Sequence, residues 1–219
     1  LDNAIEVLKS LKNLKLIGIH FHIGSQIEDV HTFDPLCERI NELQDLFEAK
    51  GMKLENINVG GGFGIDYEDP DANPISDFQR YFELFHKGLK LRDGQVVHFE
   101  LGRAIVAQCG SLMTKVTYVK HGESKTFVIV DAGMTDLIRP ALYQAYHKVE
   151  NISSDLPIQK YDVVGPICES SDVFVKDYEL NESKRGDLLV LRSAGAYGEI
   201  MASQYNCRDI PKSYFSDKI

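Results

Sequence analysis

Several short stretches carry residue types and spacings that could do chemistry. In INVGGGFGID (57–66), three glycines, Gly60, Gly61 and Gly62, directly follow an apolar run. A turn usually needs one glycine; three remove every β-carbon and let another group approach the backbone. Exposed N–H groups at such a place suit an anion, and a phosphate is the candidate. The plain alternative is a tight strand-to-helix turn. HFHIGSQ (20–26) puts His20 and His22 two residues apart, on one face if the stretch is a strand. One of the two fits a core histidine; the other could stack on a heteroaromatic ring, with Gly24 and Ser25 offering an amide and a hydroxyl to an anion.

HFELGR (98–103) places Glu100 at a strand end and Arg103 three residues later. An ordinary ion pair would contribute little. A carboxylate at the C-terminal rim of a parallel strand, however, sits where catalytic groups project. If buried, it could keep a pyridine nitrogen protonated and make that ring an electron sink. LIRPALY (137–143) brings Arg139 and Tyr143 onto one helical face, since they are four residues apart. The pair could grip a carboxylate, or it could be a surface arginine with a core tyrosine. GPICESSD (165–172) sets Cys168 beside Glu169 between turn residues: a proton donor or nucleophile, or a buried structural thiol. SAGAYG (193–198) offers Tyr197 among small residues, where a ligand or a plain turn would fit.

These groups need elements to position them. Over the first hundred residues helices and strands alternate: a helix over about 2–13, the apolar run LKLIGIHFHIG, and a helix carrying Phe33, Leu36, Ile40, Leu43 and Phe47 that closes at Gly51. The strand LENINVGGG follows, then a helix with Ser76 as N-cap and Phe78, Tyr81, Phe82, Phe85 and Leu89 along it, then the strand QVVHFE. Such alternation predicts a parallel sheet with right-handed crossovers. After Arg103 the texture turns β-rich through AIVAQCGSLMTKVTYVK, KTFVIVDAG, YDVVGPIC and GDLLVLRSAG. One short helical stretch, TDLIRPALYQAY, interrupts it, with Pro140 near its start. The predicted fold class is α/β plus β, with a boundary near residue 106: part of an α/β domain over 1–106 and a mostly β domain over 107–219.

The 219 residues suit one or two globular domains. A net charge of −9 without long single-sign runs speaks against nucleic acid or an anionic membrane as partner. No stretch reads as a membrane span or signal peptide. The four cysteines, Cys37, Cys109, Cys168 and Cys207, have no metal-like spacing and favour a reducing compartment such as the cytoplasm. The chain opens on Leu1 inside a helical pattern and reads as a piece of a longer protein.

Taken together, HFHIGSQ, VGGGFG, ELGR, VDAGMTDLIRPALY, GPICESSD and SAGAYGEIMASQYN resemble, in order and over nearly the whole chain, the diaminopimelate decarboxylase family. That family belongs to the fold type III, alanine-racemase-like enzymes that use pyridoxal 5′-phosphate. The resemblance implies the C-terminal part of a cofactor-binding (β/α)8 barrel, its last three strands, followed by a mostly β domain. It implies decarboxylation of meso-2,6-diaminopimelate to L-lysine, the last step of lysine biosynthesis. His22 would stack on the cofactor ring, and Ser25 with Gly60, Gly61 and Gly62 would hold its phosphate. Glu100 would pair with the pyridinium nitrogen, and Gly102 and Arg103 would serve the cofactor side. Arg103 would also meet the substrate, while Arg139 and Tyr143 would bind its non-reacting carboxylate. Cys168 would donate the proton that replaces carbon dioxide, Glu169 would bind the distal amine, and Tyr197 would touch cofactor and substrate. Cys168 and Glu169 of that family reach into the partner subunit's site, so the resemblance implies a homodimer.

Two departures stand out. Leu101 replaces a proline usual in the family. The family's Schiff-base lysine, in a Tyr-x-x-Lys-Ala-Asn-like motif early in the barrel, has no counterpart; YVKHG at 118–122 falls on the wrong side of ELGR. The chain by itself is therefore expected to be inactive, with exposed strand edges that make it unstable. An ornithine- or arginine-type decarboxylase is the neighbouring alternative, although Arg139 would repel a cationic substrate tail. A non-catalytic homologue that binds a protein partner is the alternative from another class. A barrel enzyme with a sugar-phosphate ligand would explain the glycines but not GPICESSD.

Overall fold

The computed structural model describes residues 2–218. They form two compact units: one holds the chain up to Gly64 together with Asp77–Gly102, the other Ile65–Ser76 together with the chain from Arg103 on.

The first unit alternates as its periodicity predicts, in the order α1 (Asp2–Ser10), β1 (Gly18–His20), α2 (Asp34–Ala49), β2 (Asn56–Asn58), α3 (Phe78–Gly88) and β3 (Val96–His98). Local chemistry sets the helix ends. Pro35 opens α2 in its first turn, and Gly51, at φ +75°, turns the chain away after it. The N-cap of α3 is Asp77, not Ser76: the Asp77 carboxylate accepts from the Arg80 amide at 2.9 Å. Strands β1, β2 and β3 are parallel in that order, with His20, Asn58 and His98 in register at their C-terminal ends. Tyr81 of α3 is fully buried against Phe33, edge-on at 5.2 Å, and Phe63, stacked at 4.6 Å. Such ring pairs add about 0.5–1.5 kcal/mol each beyond the area they bury. Among the described residues β1 and β3 each pair only with β2, and Ile17, Ile23 and Val96 remain exposed nearby.

The second unit is mostly β. Its opening is not strand but a short helix, α4 (Arg103–Val106), and a 3-10 turn; Gly195 packs so close to this turn that a β-carbon there would lie 2.1 Å from the Val106 carbonyl. Strands β4 (Leu112–His121), β5 (Thr126–Val130), β6 (Val149–Asn151), β7 (Ile158–Val164), β8 (Val173–Asn181) and β9 (Leu188–Leu191) form one sheet in the order β6-β9-β4-β5-β7-β8. All pairs are antiparallel except β5 with β7. Val116, Val128, Val163, Leu189 and Leu191 are buried at its centre, where deleting a leucine side chain costs about 2–5 kcal/mol. The helical stretch between β5 and β6 shrinks to α5 (Arg139–Tyr143), started by Pro140 and ended by Gln144 at φ +54°.

Candidate functional site

In the first unit the predicted groups gather at the C-terminal ends of the parallel strands. Glu100 is the centre. Its carboxylate accepts from Asn58 Nδ2 at 2.8 Å and lies 3.4 Å from His20 Nε2. Asn58 also accepts from the Gly60 amide at 2.8 Å, so one side chain couples the glycine turn to the acid. Nothing local in the sequence marks Asn58, because its alignment with His20 comes from the pairing of distant strands.

Two expectations need correction here. Neither histidine is in the core: His20 ends β1, His22 lies beyond the strand, and both are exposed. Glu100 is not buried either; its side chain is 56% exposed and faces solvent. The glycines are explained differently as well. A β-carbon on Gly60, Gly61 or Gly62 would meet the carbonyl oxygens of Phe21, Glu100 and Gly24 at 2.0, 2.3 and 2.4 Å. The group that comes close to this backbone is the chain itself, at the neighbouring strand ends. The tight packing leaves the amides of Gly61 and Gly62 without a hydrogen-bond partner among the described residues, while Gly61 is buried. Buried backbone donors are nearly always satisfied, so the orphaned amide of buried Gly61, with that of half-buried Gly62 beside it, fits an anion at the strand-end rim.

The second unit holds a separate cluster built on arginines. Arg139 is only 5% exposed, and Tyr143 is 62% exposed. A surface arginine with a core tyrosine is therefore the reverse of what forms. The partners of Arg139 are residues that the sequence did not single out. Its Nη1 donates to the Tyr67 hydroxyl at 3.0 Å and to His147 Nε2 at 2.9 Å. The Tyr67 hydroxyl also accepts from Arg103 Nη1 at 2.6 Å. The Arg103 guanidinium lies 5.2 Å from the Tyr197 ring centre, a cation–π distance. Tyr197 itself sits at φ +63°, a conformation that a tyrosine holds only under tertiary constraint. Among the described residues no carboxylate comes within ion-pair distance of Arg139, and its Nε and Nη2 donate to no group. A buried cation with only neutral partners is costly unless an anion completes it.

The loop between β7 and β8 presents Cys168 and Glu169, both exposed. Buried Asp172 shapes the loop by accepting from the amides of Met134 and Ile167, each at 2.6 Å. Burial pushes the Asp172 carboxyl above its ordinary range, against the pull of those two donors. Gly133 and Gly165 make room for it, since a β-carbon on Gly165 would lie 2.3 Å from Asp172 Oδ2. Tyr205 donates to Glu169 Oε1 at 2.5 Å, and Asn206 Oδ1 accepts from the Cys168 amide at 3.4 Å. The Glu169 carboxylate raises the Tyr205 phenol above its usual range, mainly through that hydrogen bond.

A parallel strand-end rim with orphaned amides and a carboxylate, and a β unit bearing a cysteine loop and a buried arginine, define a class. The family model for the pyridoxal-dependent decarboxylase C-terminal sheet domain matches residues 30–195, and the chain belongs to that family. Its relatives have a narrower name. Diaminopimelate decarboxylase of Bacteroides thetaiotaomicron is 63% identical over all of this chain, which covers 57% of the relative. The enzyme of that name from Neisseria meningitidis serogroup B is 46% identical over 90% of the chain and 47% of its own length. The crystal structure of diaminopimelate decarboxylase from Helicobacter pylori complexed with L-lysine superposes with a TM-score of 0.82 at 39% identity, covering 94% of this chain and 51% of that one. The chain thus spans about half of these relatives' length.

Proposed function

We propose that this chain is the C-terminal part of a pyridoxal-phosphate-dependent decarboxylase that converts meso-2,6-diaminopimelate to L-lysine and carbon dioxide. The observation that carries the substrate class is Arg139. A buried guanidinium without a carboxylate partner, its Nε–Nη2 edge unused, suits the second carboxylate of a dicarboxylic amino acid. A diamine tail, as in ornithine, would meet repulsion there. The names of the similar proteins support the same reading.

Bound pyridoxal phosphate supplies an electron sink for the pair left behind when carbon dioxide departs. In this reading Gly60, Gly61, Gly62 and Ser25 hold its phosphate, with Gly102 and Arg103 on the cofactor side and His22 stacked on its ring. Glu100, oriented by Asn58, would pair with the ring nitrogen and would be covered only once the cofactor is bound. Arg139 and Tyr143 orient the distal carboxylate, Glu169 the distal amine, and Arg103 and Tyr197 the reacting end. Cys168 delivers the proton that replaces the carboxylate.

The exposure of Cys168 and Glu169 favours their action in a partner subunit's site, and we assign a homodimer on that basis. The four cysteines are free thiols, which supports a reducing compartment such as the cytoplasm. The test is direct. The full-length protein with pyridoxal phosphate is offered meso-diaminopimelate and L-ornithine separately, and carbon dioxide and amine product are followed. Lysine from diaminopimelate alone is the expected result; release from ornithine instead would overturn the carboxylate reading of Arg139.

A further inference from the structure

The machinery assigned so far leaves unused a fully buried histidine that touches it. His147 is 2% exposed, and its ring lies edge-on to Tyr67 at 5.2 Å, with the planes at 82°. Its Nδ1 stands 2.9 Å from the Arg192 carbonyl oxygen, which can only accept. Nδ1 therefore carries the proton, and Nε2 carries a lone pair. That lone pair faces Arg139 Nη1 at 2.9 Å. With Tyr67 taking the other Nη1 hydrogen, both protons of that nitrogen are committed. The guanidinium plane is thereby set, and the Nε–Nη2 edge, which matches a carboxylate bidentately, is the one left open.

We infer that His147 is a positioning residue for substrate recognition: as the Nδ1–H tautomer locked by the Arg192 carbonyl, it aims the free edge of Arg139 at an incoming carboxylate. A carboxylate in its place would hold Arg139 equally well but would neutralise the charge the substrate needs. A neutral acceptor orients the cation and leaves its charge available. This inference rests on the carboxylate-binding reading of Arg139.

The experiment uses the full-length protein loaded with pyridoxal phosphate and meso-diaminopimelate as substrate. His147→Asn keeps a donor near the Nδ1 position and loses the acceptor for Arg139; His147→Gln can return an acceptor near Nε2. His147→Asn should raise KM roughly tenfold with kcat within about twofold, the size of one charge-assisted hydrogen bond, and His147→Gln should recover most of the loss. A merely structural role would impair both variants alike and reduce cofactor content with them; that result, or an unchanged KM in His147→Asn, would overturn the inference. Arg139→Ala is the control. If it leaves KM unchanged, the carboxylate reading fails and takes the role of His147 with it; if it raises KM while His147→Asn does not, only the positioning role fails. Should the variants not fold, neutron diffraction from the unaltered protein decides: hydrogen on Nδ1 and none on Nε2 is expected, and the opposite tautomer would refute the inference.

Discussion

Arg139 and Arg192 belong to the same β unit and are linked through His147, yet they are treated in opposite ways. Arg192 is matched by acids: Asp71 Oδ1 at 2.6 Å and Glu150 Oε2 at 2.8 Å. Hydrogen bonds to these carboxylates hold its guanidinium proton even more firmly than usual. Arg139 is the more buried of the two and meets only a phenol and an imidazole. If stability alone governed both sites, the deeper cation would have the acids. The difference teaches that Arg192 is a completed structural ion pair, whereas Arg139 has only neutral partners, as the proposed carboxylate-binding role requires. The Arg192 backbone carbonyl, by anchoring His147, even takes part in keeping Arg139 oriented.

The sharpest way to break this contrast is to truncate the two arginines in turn in the full-length protein. Arg139→Ala should lower kcat/KM for diaminopimelate by about a hundredfold or more, the range for removing one partner of a desolvated charge pair. If steady-state kinetics show no such loss, the deeper arginine is structural after all.

The next largest effect is on stability against pH. Burial pushes the His147 imidazole down from its ordinary 6.5 to about 4; the Arg192 carbonyl opposes this and the charges of Arg139 and Arg103 reinforce it. The unfolded chain therefore takes up this proton first as pH falls. Stability from this group is complete above about pH 6.5 and declines until about pH 4, by on the order of 3 kcal/mol. Denaturant melts of the parent and His147→Gln across that window should show the slope in the parent and a shallower one in the variant. The Arg192 side has a lower threshold: its hydrogen bond holds the Asp71 carboxyl below the ordinary range, so that contribution persists until strongly acidic pH.

The smallest effect is expected for Arg192→Ala: a melting temperature lower by roughly 2–4 °C with KM for diaminopimelate little changed. A large rise in KM would mean that the side chain of Arg192, and not only its carbonyl, serves recognition.

Much of the fold was legible because its causes are local. The three-four spacing of Phe33, Leu36 and Ile40, Pro35 at a helix start and Gly51 at its end all act within a few residues. Errors of one residue, Asp77 in place of Ser76 as cap, arise because either side chain suits that role and packing chooses. The site was legible only in part. The three glycines are visibly special, but the reason lies in three carbonyls from other strand ends. Tyr67 follows an ordinary FGID turn, and His147 is a lone histidine just past a short helix; neither has a neighbour that marks it. Arg139 meets Tyr67 across 72 positions of sequence, a separation that no local pattern reports.

By itself, then, the sequence determined the element types, the change from α/β to β texture, and which short motifs could carry chemistry, because these depend on intrinsic conformational preference and on periodicity. Only the tertiary structure decided which polar groups are buried and what they face. It put Arg139 inside and Tyr143 outside, gave Arg192 the acids, and set a neutral histidine behind Arg139. Burial and long-range hydrogen bonding come from how strands and loops pack, and that packing turns a common residue type into a particular chemical group.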